Sequence, residues 1–323
     1  MGMMVEGAWR SDVDHLVAPD GSFVRPASTF RNWITADGDP YPSSRGGPSG
    51  EGGFKAEPGR YHLYVSYACP WAHRTLLYRA LLGLEDSIGI SVVHPVNIVE
   101  GWDFADFPGA TGDRLGGARY LHEVYARSAP DYSGRVSVPI LWDAAAGRIV
   151  NNESSEIIRM IGANSEALGG RPCPYFPAGL AAEIERVNAT VYDVNNGVYR
   201  TGFAKSQEAY DAAAEKLFGA LDAMEARLAT SEFLLGNEIT EADWRLLPTA
   251  IRFDPVYVVH FKCSRKLYAE YPNLQRHMMR LVEEPGVRAT IHLDHIRHHY
   301  SRSHLHINPR GIIPVGPRAA WES

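Results

Sequence analysis

Hydrophobic and polar positions from Arg60 onward follow the periodicities of strands and helices in turn. The segment YHLYVSY is rich in β-forming residues, PWAHRTLLYRALLGL has apolar residues at helical spacing and ends at Gly83, and IGISVVHPV is a second β-branched run. Further along, SVPILWD and RIVNN predict a hairpin pair, and ESSEIIRMIG predicts the helix that follows it. The order β-α-β, then β-β-α, predicts a thioredoxin-like α/β domain over residues 60–165.

Strand signals largely stop after the linker ANSEALGGRPCPYFPAG, and residues 180–300 carry repeated helical spacing. In AAEKLFGALDAMEARLA, four apolar residues share one face: Leu217, Leu221, Met224 and Leu228. The segment ITEADWRLLPTAIRF begins with a capping box, because Thr240 can cap the amide of Asp243 and the Asp243 carboxylate can reach back to Thr240. An all-α second domain with a C-terminal extension is therefore predicted over residues 178–323.

Two stretches lack such regular patterns. Residues 1–59 are rich in Gly, Pro, Ser and Asp, as in DGDPYPSSRGGPSGEGG. We expect them to form an extended arm wrapped over the body, with a flexible part near residues 38–53. Residues 97–134 form a long connection with mixed signals, and connections of that length tend to be functional.

Composition and charge exclude several classes of protein. The chain has 323 residues and a formal net charge of -6, so nothing electrostatic favours nucleic acid or an anionic membrane as a partner. No window approaches the roughly 18 uninterrupted apolar residues of a membrane span, and no secretory signal pattern is present. Three widely separated cysteines indicate a reduced, cytoplasmic protein. The 16 Tyr, 7 Trp and 13 His fit a pocket for an aromatic ligand, although cores also use them.

Cys69 lies where the first predicted strand gives way to the first predicted helix, directly before Pro70. Pro is well suited to the first helical position, and a helix start exposes unpaired N–H groups and the positive end of the helix dipole. A thiol there is expected to have a lowered pKa and to be partly thiolate at neutral pH. The alternative is a small buried hydrophobic residue, the commoner fate of such a cysteine. Positions +2 and +3 hold Trp71 and Ala72 instead of a second cysteine.

Several segments together resemble a known family. The segments SYACPWAHRTLLYRALLGLE, SVPILWD, IVNNESSEIIRM, FDPVYVVHFKC and HIRHHYSRSHLHINPRGIIPVGP are similar to the glutathionyl-hydroquinone reductases, the Xi class of the glutathione transferase superfamily. The resemblance runs from about residue 20 to residue 318, and C-P-W-A-H-R joined to the C-terminal segment is not a general transferase pattern. It implies a thioredoxin-like N-terminal domain followed by a helical glutathione-transferase C-terminal domain.

The resemblance implies an enzyme that uses glutathione as a co-substrate and no metal. In that family the cysteine attacks the sulfur of a glutathionyl-hydroquinone, the hydroquinone leaves, and a glutathionyl-cysteine mixed disulfide remains. A second glutathione then resolves it as oxidised glutathione. With Trp71 and Ala72 beside the motif no internal disulfide can form there, so an external thiol must complete the cycle. A homodimer is a further expectation for the family.

By the same resemblance, residues of the N-terminal domain bind glutathione. Pro139 matches a cis-proline beside the cysteine, which leaves the N–H and C=O of Val138 to pair with the ligand by strand addition. A Val-Pro pair alone is more typical of a strand edge. Glu153 would pair with the ligand ammonium and Ser154 would donate to its γ-glutamyl carboxylate, although an ordinary helix N-cap also explains this pair. The other expected contacts are Trp102, Arg135, Val136 and Ser137, of which Arg135 suits a carboxylate.

Three tyrosines of the second domain correspond to family residues that act on the aromatic substrate. Tyr199 matches the proton donor, and Tyr257 and Tyr300 match two tyrosines near the cysteine. Cleavage of the thioether must place a proton on the ring carbon that loses sulfur, and a positioned phenol can supply it. A phenol that donates a hydrogen bond to a thiolate also lowers the thiol pKa. Without the resemblance, each tyrosine is more often a core residue with a satisfied hydroxyl.

Histidines near the C-terminus suggest a metal site: His292, His295, His298, His299, His304 and His306. The i, i+4 spacing of His295 and His299 suits two ligands on one helix face. No Glu or Cys completes a known zinc pattern nearby, and no H-E-x-x-H occurs. Helix-end and packing roles are therefore favoured for these side chains.

Other functions stay open at this point. A broader cysteine-type thiol transferase or a dehydroascorbate-like reductase would use the same cysteine. A non-catalytic transferase-like scaffold belongs to a different class, and Cys69 argues against it because a scaffold has no need of a thiol at a helix start. A conjugating transferase is disfavoured, since that reaction activates the thiol of glutathione whereas a protein cysteine would form a disulfide.

Overall fold

The structure is a computed structural model that describes residues 2–12, 18–40 and 51–322. The described residues form two compact units. The first contains residues 2–12, 26–40, 51–173 and 290–295, and the second contains residues 18–25, 174–289 and 296–322. The two units interleave along the chain. The predicted division into an arm at 1–59 and domains at 60–165 and 178–323 stays a prediction.

The N-terminal residues form a small hairpin that the sequence patterns did not predict. Its strands are β1 (Met3–Val5) and β2 (Ala8–Arg10), which are antiparallel. The two residues between them, Glu6 and Gly7, have positive φ values of 48° and 77°. Positive φ at both central residues is what the tightest hairpin turn requires.

The described remainder of the arm is packed against other residues. Trp33, Ile34 and Phe54 are buried, and the Thr35 N–H donates to the Phe54 carbonyl oxygen at 3.0 Å. Most of the predicted flexible part near residues 38–53 lies outside the described residues, namely positions 41–50.

A four-stranded mixed sheet forms the core of the first unit. In chain order its elements are β3 (Tyr61–Val65), α1 (Pro70–Leu81), β4 (Ile88–Val92), α2 (Leu121–Ser128), β5 (Ile140–Asp143), β6 (Arg148–Asn151) and α3 (Ser154–Ala163). The spatial order is β4-β3-β5-β6. β3 and β4 are parallel because α1 connects them, whereas β5 is antiparallel to both of its neighbours. All five residues of β3 are buried, as expected for a central strand, and the order confirms the predicted thioredoxin-like layout.

Helices build the second unit. They are α4 (Ala181–Asn195), α5 (Gly197–Phe203), α6 (Gln207–Leu228), α7 (Glu241–Arg252), α8 (Val258–His260), α9 (Pro272–Glu283) and α10 (Leu293–Ser303), of which α10 begins in the first unit. The predicted apolar face of α6 is buried. Asp243 Oδ2 accepts the Thr240 N–H at 2.8 Å, which confirms the predicted capping box at the start of α7. In the parts of the chain that are described, no helix is long and apolar enough to cross a membrane.

Candidate active site

The sulfur of Cys69 is held at the start of α1. β3 ends at Val65, and the next turn is closed by the Cys69 N–H, which donates to the Ser66 carbonyl oxygen at 3.1 Å. Cys69 is the N-cap residue, with φ -76° and ψ 121°, and Pro70 takes the first helical position. Its side chain is half-buried, with Sγ 3.6 Å from the Val138 carbonyl oxygen. The positive end of the helix dipole lies at this position and favours negative charge there.

The backbone beside the sulfur comes from the loop before β5. The Val138–Pro139 peptide bond is cis, as expected, and β5 pairs with β3 from Ile140 onward. The Val138 C=O approaches the Cys69 thiol, while its N–H makes no hydrogen bond to any residue that the structure describes. A backbone segment outside the ladder, with its N–H available next to the sulfur, can pair with an extended peptide.

Glu153 is the N-cap residue of α3, which is the alternative that the sequence left open. Its Oε1 accepts hydrogen bonds from the Ser155 N–H at 3.2 Å and the Ser155 hydroxyl at 2.9 Å, and its Oε2 accepts from the Ser28 hydroxyl at 3.1 Å. The Ser154 hydroxyl accepts from Arg74 Nη1 at 3.4 Å. A carboxylate that caps a helix can still accept further hydrogen bonds, and a hydroxyl that accepts one can still donate its own proton. Binding of a ligand by Glu153 and Ser154 stays a prediction.

Three loops meet at one end of the sheet: the Cys69 turn after β3, the loop before β5 and the turn after β6. Tyr64 of β3 pairs with Ile140 at the start of β5, and Leu141 pairs with Asn151 at the end of β6. Antiparallel neighbours bring the end of one strand beside the start of the next. The topology therefore gathers the predicted cysteine, backbone and helix-start groups at the same edge.

Tyr125 of α2 joins two of these loops, and sequence reasoning missed it. Its hydroxyl donates to the Ser137 carbonyl oxygen at 2.9 Å and accepts from the Ser137 N–H at 3.2 Å and from Asn152 Nδ2 at 3.1 Å. Burial raises the pKa of Tyr125, so the group is a neutral phenol that can both donate and accept. Its partners lie 12 and 27 residues away, so no local pattern could reveal them.

Arg74 of α1 is a second residue whose role the sequence did not reveal. Only 4% of it is exposed, its guanidinium carbon lies 4.6 Å from the Trp71 ring centroid, and it donates to Ser154 at the start of α3. A buried guanidinium beside a helix start suits an anionic ligand group. The motif C-P-W-A-H-R contains this arginine, so the signal was present although no role was assigned to it.

Trp102 and Arg135 lie on the two loops that flank α2. The Trp102 carbonyl oxygen accepts the N–H of Leu121, the first residue of α2, at 2.9 Å, so this hydrogen bond fixes the Trp102 backbone. The Trp102 side chain is buried. The carbonyl oxygen of the half-buried Arg135 accepts the Tyr132 hydroxyl at 2.9 Å. The next residue, Val136, is also half-buried. Contacts of these side chains with a ligand stay predictions.

In the second unit the three predicted tyrosines form a hydrogen-bonded chain. The Tyr300 hydroxyl lies 2.6 Å from that of Tyr199 and 3.1 Å from that of Tyr257. Tyr257 and Tyr300 are buried, whereas Tyr199 is half-buried. Burial, together with the two neighbouring phenols, raises the pKa of Tyr300 well above its ordinary value, so it is neutral at physiological pH. Cys69 belongs to the other unit, and the action of the phenols on its chemistry stays a prediction.

A π-helical turn over Phe253–Tyr257 carries Tyr257. Such turns are rare and occur frequently at functional sites. Asp254 within it is buried, and its carboxylate accepts the N–H groups of Tyr268 at 2.6 Å and Ala269 at 3.1 Å. Burial raises the pKa of Asp254, while these two hydrogen bonds oppose the shift. The Asp254 carboxylate therefore fixes the π-helical turn and with it the position of Tyr257 in the phenol chain.

The C-terminal histidines pack against aromatic rings and one another. His260 Nε2 and His304 Nδ1 are 3.0 Å apart, and burial lowers the pKa of His260 to about 4, so this imidazole is neutral at pH 7. In the first unit, His292 stacks on Tyr67 with ring centroids 3.6 Å apart. Over residues 2–12, 18–40 and 51–322, no group of three or more His, Cys, Asp or Glu side chains is arranged to hold a metal ion.

Comparison with known proteins identifies the family. The family models described as Glutathione S-transferase, N-terminal domain and C-terminal domain, match residues 68–164 and 207–280. The chain is 51% identical to glutathionyl-hydroquinone reductase YqjG of Escherichia coli (strain K12) over 319 residues, which is 98% of this chain and 95% of that protein. It matches the structure of the Xi class GST from Natrialba magadii with a TM-score of 0.91 and 43% identity, over 100% and 96% of the two chains. The chain belongs to the Xi class of the glutathione transferases.

Two further similarities agree with this assignment to the Xi class. Glutathionyl-hydroquinone reductase PcpF of Sphingobium chlorophenolicum is 46% identical over 318 residues, or 98% of this chain and 96% of that protein. The glutathione-bound structure of YqjG from E. coli K-12 matches with a TM-score of 0.90 and 48% identity, over 100% and 97% of the two chains. The resemblance carried by C-P-W-A-H-R and the C-terminal segment is therefore confirmed, as is the thioredoxin-like domain followed by a helical one.

Proposed function

We propose that this Xi-class transferase reduces glutathionyl-hydroquinones to hydroquinones, with glutathione as the reductant. The observation that carries the proposal is Cys69 at the N-cap of α1, with Sγ 3.6 Å from the Val138 carbonyl oxygen and no cysteine at positions +2 or +3. A lone thiol at a helix start beside an available backbone N–H suits attack on a glutathione sulfur. Relatives at 51% and 46% identity carry the name of this activity.

The reaction runs through one mixed disulfide. The Cys69 thiolate attacks the thioether sulfur, the aryl carbon–sulfur bond breaks, and its electron pair stays on the ring carbon. A proton added to that carbon gives the hydroquinone, while Cys69 and glutathione remain joined. The thiolate of a second glutathione attacks the glutathione sulfur of this disulfide, which releases oxidised glutathione and restores Cys69. Two glutathione sulfurs are oxidised in total and one aryl carbon is reduced.

Glutathione binds in this proposal at the end of the sheet where the three loops meet. The Val138 N–H pairs with the cysteinyl part of the ligand, and Ser154 at the start of α3 donates to the γ-glutamyl carboxylate. The Glu153 carboxylate takes the ligand ammonium. Arg74, which already contacts Ser154 at 3.4 Å, adds positive charge next to that carboxylate. The remaining proposed contacts are Trp102, Arg135, Val136, Ser137 and Pro139.

The phenol chain of the second unit supplies the proton in this proposal. Tyr199 donates to the ring carbon, and Tyr300 and Tyr257 stand behind it at hydroxyl distances of 2.6 Å and 3.1 Å. A general acid positioned in this way contributes roughly a hundredfold or more to a rate. Burial keeps the proton on Tyr300 at physiological pH, because it raises the pKa of that phenol.

The proposal includes a homodimer in the cytoplasm, as expected for the family. All three cysteines lie within the described residues, and each is a thiol that forms no disulfide. Thiols persist in reducing compartments, which supports the cytoplasmic assignment.

Mass spectrometry with a glutathionyl-hydroquinone as the only substrate tests the mechanism. Without free glutathione, we expect one glutathione adduct on Cys69 and an equal amount of released hydroquinone, because resolution requires a second thiol. Cys69→Ser should lose both products. Cys173→Ser and Cys263→Ser are matched controls that should keep both, and Cys263 is fully buried with a raised pKa. Turnover by Cys69→Ser, or an adduct on another cysteine, would show that the mechanism is wrong.

A further inference from the structure

The β1–β2 hairpin contacts the loop that leads into Arg135. Met4 and Gly134 exchange two backbone hydrogen bonds, at 2.8 Å and 2.9 Å. The Gly7 N–H donates to the Tyr132 carbonyl oxygen at 3.0 Å, and the Glu6 N–H donates to the Ser133 hydroxyl at 2.8 Å. Residues 132–134 are thus paired with the hairpin directly before the loop proposed to bind glutathione.

The same hairpin also contacts the loop that leads into Trp102. Trp9 of β2 donates from Nε1 to the Val99 carbonyl oxygen at 3.1 Å. Gly101 has φ 74°, and a Cβ at that position would lie 3.0 Å from the Trp9 ring. The indole therefore lies against the backbone immediately before Trp102, and both this close contact and the positive φ of residue 101 favour glycine there.

A stack of rings continues this contact to α2. The Trp9 and His122 rings are 5.1 Å apart with an interplanar angle of 12°, and His122 stacks on Tyr120 at 5.1 Å and 15°. His122 Nε2 also lies 3.7 Å from the Glu100 carboxylate. The loop before Trp102 is consequently held between the hairpin on one side and the start of α2 on the other.

We propose that the β1–β2 hairpin is a positioning element for the glutathione site and that Trp9 is its main positioning residue. The hairpin holds the Trp102 loop through a side chain and the Arg135 loop through backbone pairing. The inference rests on the proposed function, in which both residues contact glutathione. A ligand that binds only one loop arrangement has an apparent affinity reduced by the fraction of molecules in that arrangement. Holding both loops in advance removes part of that cost.

Two variants remove the hairpin contacts by different means. Trp9→Leu deletes both the ring stack and the hydrogen bond to Val99. Gly7→Ala places a Cβ against the Pro130 carbonyl oxygen at a residue with φ 77°, which should displace the Glu6-Gly7 turn. Trp9→Phe keeps a ring beside His122 but loses the N–H donor. Trp321→Leu is the matched control, because Trp321 Nε1 donates to the Ile251 carbonyl oxygen at the same 3.1 Å in the second unit.

Calorimetric titration with glutathione gives the affinity, and alkylation of Cys69 by iodoacetamide without glutathione reports the reactivity of the thiol. Trp9→Leu and Gly7→Ala should raise the Kd for glutathione roughly three- to tenfold. This fold-change corresponds to the net free energy of about one hydrogen bond. Their alkylation rates should equal that of the unmodified protein. Trp9→Phe should recover part of the affinity, and Trp321→Leu should bind glutathione normally.

The outcomes separate this inference from the proposed function. If the unmodified protein binds no glutathione, the proposed function itself is wrong. If it binds while both Trp9→Leu and Gly7→Ala bind equally well, the hairpin has no positioning role. Equal loss of affinity in Trp9→Leu and Trp321→Leu would overturn the inference too, because the effect would then reflect general destabilisation. Should Trp9→Leu fail to fold, Gly7→Ala and Trp9→Phe decide the question.

Discussion

Replacing Tyr125 by Phe removes one buried hydroxyl that makes four hydrogen bonds: three with Ser137, at 2.9 Å, 3.2 Å and 3.4 Å, and one with Asn152 at 3.1 Å. A neutral hydrogen bond contributes about 0.5–1.5 kcal/mol net, and a buried group left without its partner costs about 1–3 kcal/mol. The ring itself is retained, so no cavity of side-chain size opens. We therefore expect Tyr125→Phe to lower the free energy of unfolding by about 2–4 kcal/mol.

Tyr268→Phe is a matched control for this substitution. Tyr268 is also fully buried, and its hydroxyl makes no hydrogen bond with the residues that the structure describes. Loss of that hydroxyl should change the free energy of unfolding by less than about 1 kcal/mol, since no partner is lost. Urea unfolding followed by circular dichroism measures both variants under the same conditions.

Tyr125→Phe should also weaken glutathione binding, because Ser137 and Asn152 lie on the two loops that the proposed ligand bridges. Tyr268→Phe should bind glutathione normally. If the two variants have the same stability and the same Kd for glutathione, the hydrogen bonds of Tyr125 do not hold the loops and the reasoning is refuted.

Two other predictions concern pH and the proton donor. Burial lowers the pKa of His62 and of His260 to about 4, against an ordinary value of 6.5. On acidification the unfolded chain therefore binds protons at these two histidines before the folded chain does. The free energy of unfolding should fall as the pH drops from about 6.5 to about 4. The urea midpoint should therefore be lower at about pH 5 than at about pH 7.5, and a higher midpoint at acid pH would contradict this sign. Tyr199→Phe should slow hydroquinone release roughly a hundredfold in single-turnover experiments while the Kd for glutathione stays nearly the same. An unchanged release rate would remove the proposed role of Tyr199.

Local patterns sufficed for the features that depend on neighbours in sequence. Strand and helix periodicities predicted the order of the first unit, because side-chain burial repeats every two residues in one case and every 3.6 in the other. The same holds for Cys69 before Pro70 at a helix start and for the capping box of Thr240 and Asp243, which is complete within four residues. The identities of the glutathione and tyrosine residues came from the family resemblance instead.

Features built from distant residues could not be predicted in this way. Trp9 meets Val99 across 90 residues of sequence, and Tyr125 meets Asn152 across 27. Neither contact leaves a periodic signal, since each depends on how loops are brought together by the sheet. The hairpin turn did have a local signal, because Glu6-Gly7 stands between two short apolar runs. Such a short pair of strands depends for its stability on contacts with distant residues, such as Val99 and Gly134.

The phenol chain has a direction that follows from counting protons. The Tyr300 hydroxyl has a single proton and lies within hydrogen-bond distance of two phenol oxygens, those of Tyr199 and Tyr257. It can donate to only one of them, so at least one of the two must donate to Tyr300. In one orientation, Tyr257 donates to Tyr300, Tyr300 donates to Tyr199, and the proton of Tyr199 points out of the chain. When Tyr199 gives that proton away, the Tyr300 proton can move to the Tyr199 oxygen and the Tyr257 proton can move to the Tyr300 oxygen. Tyr257 is then the phenol that lacks a proton. Only this orientation delivers a proton from Tyr199, and after one delivery Tyr257 must be protonated again before the chain can repeat the step.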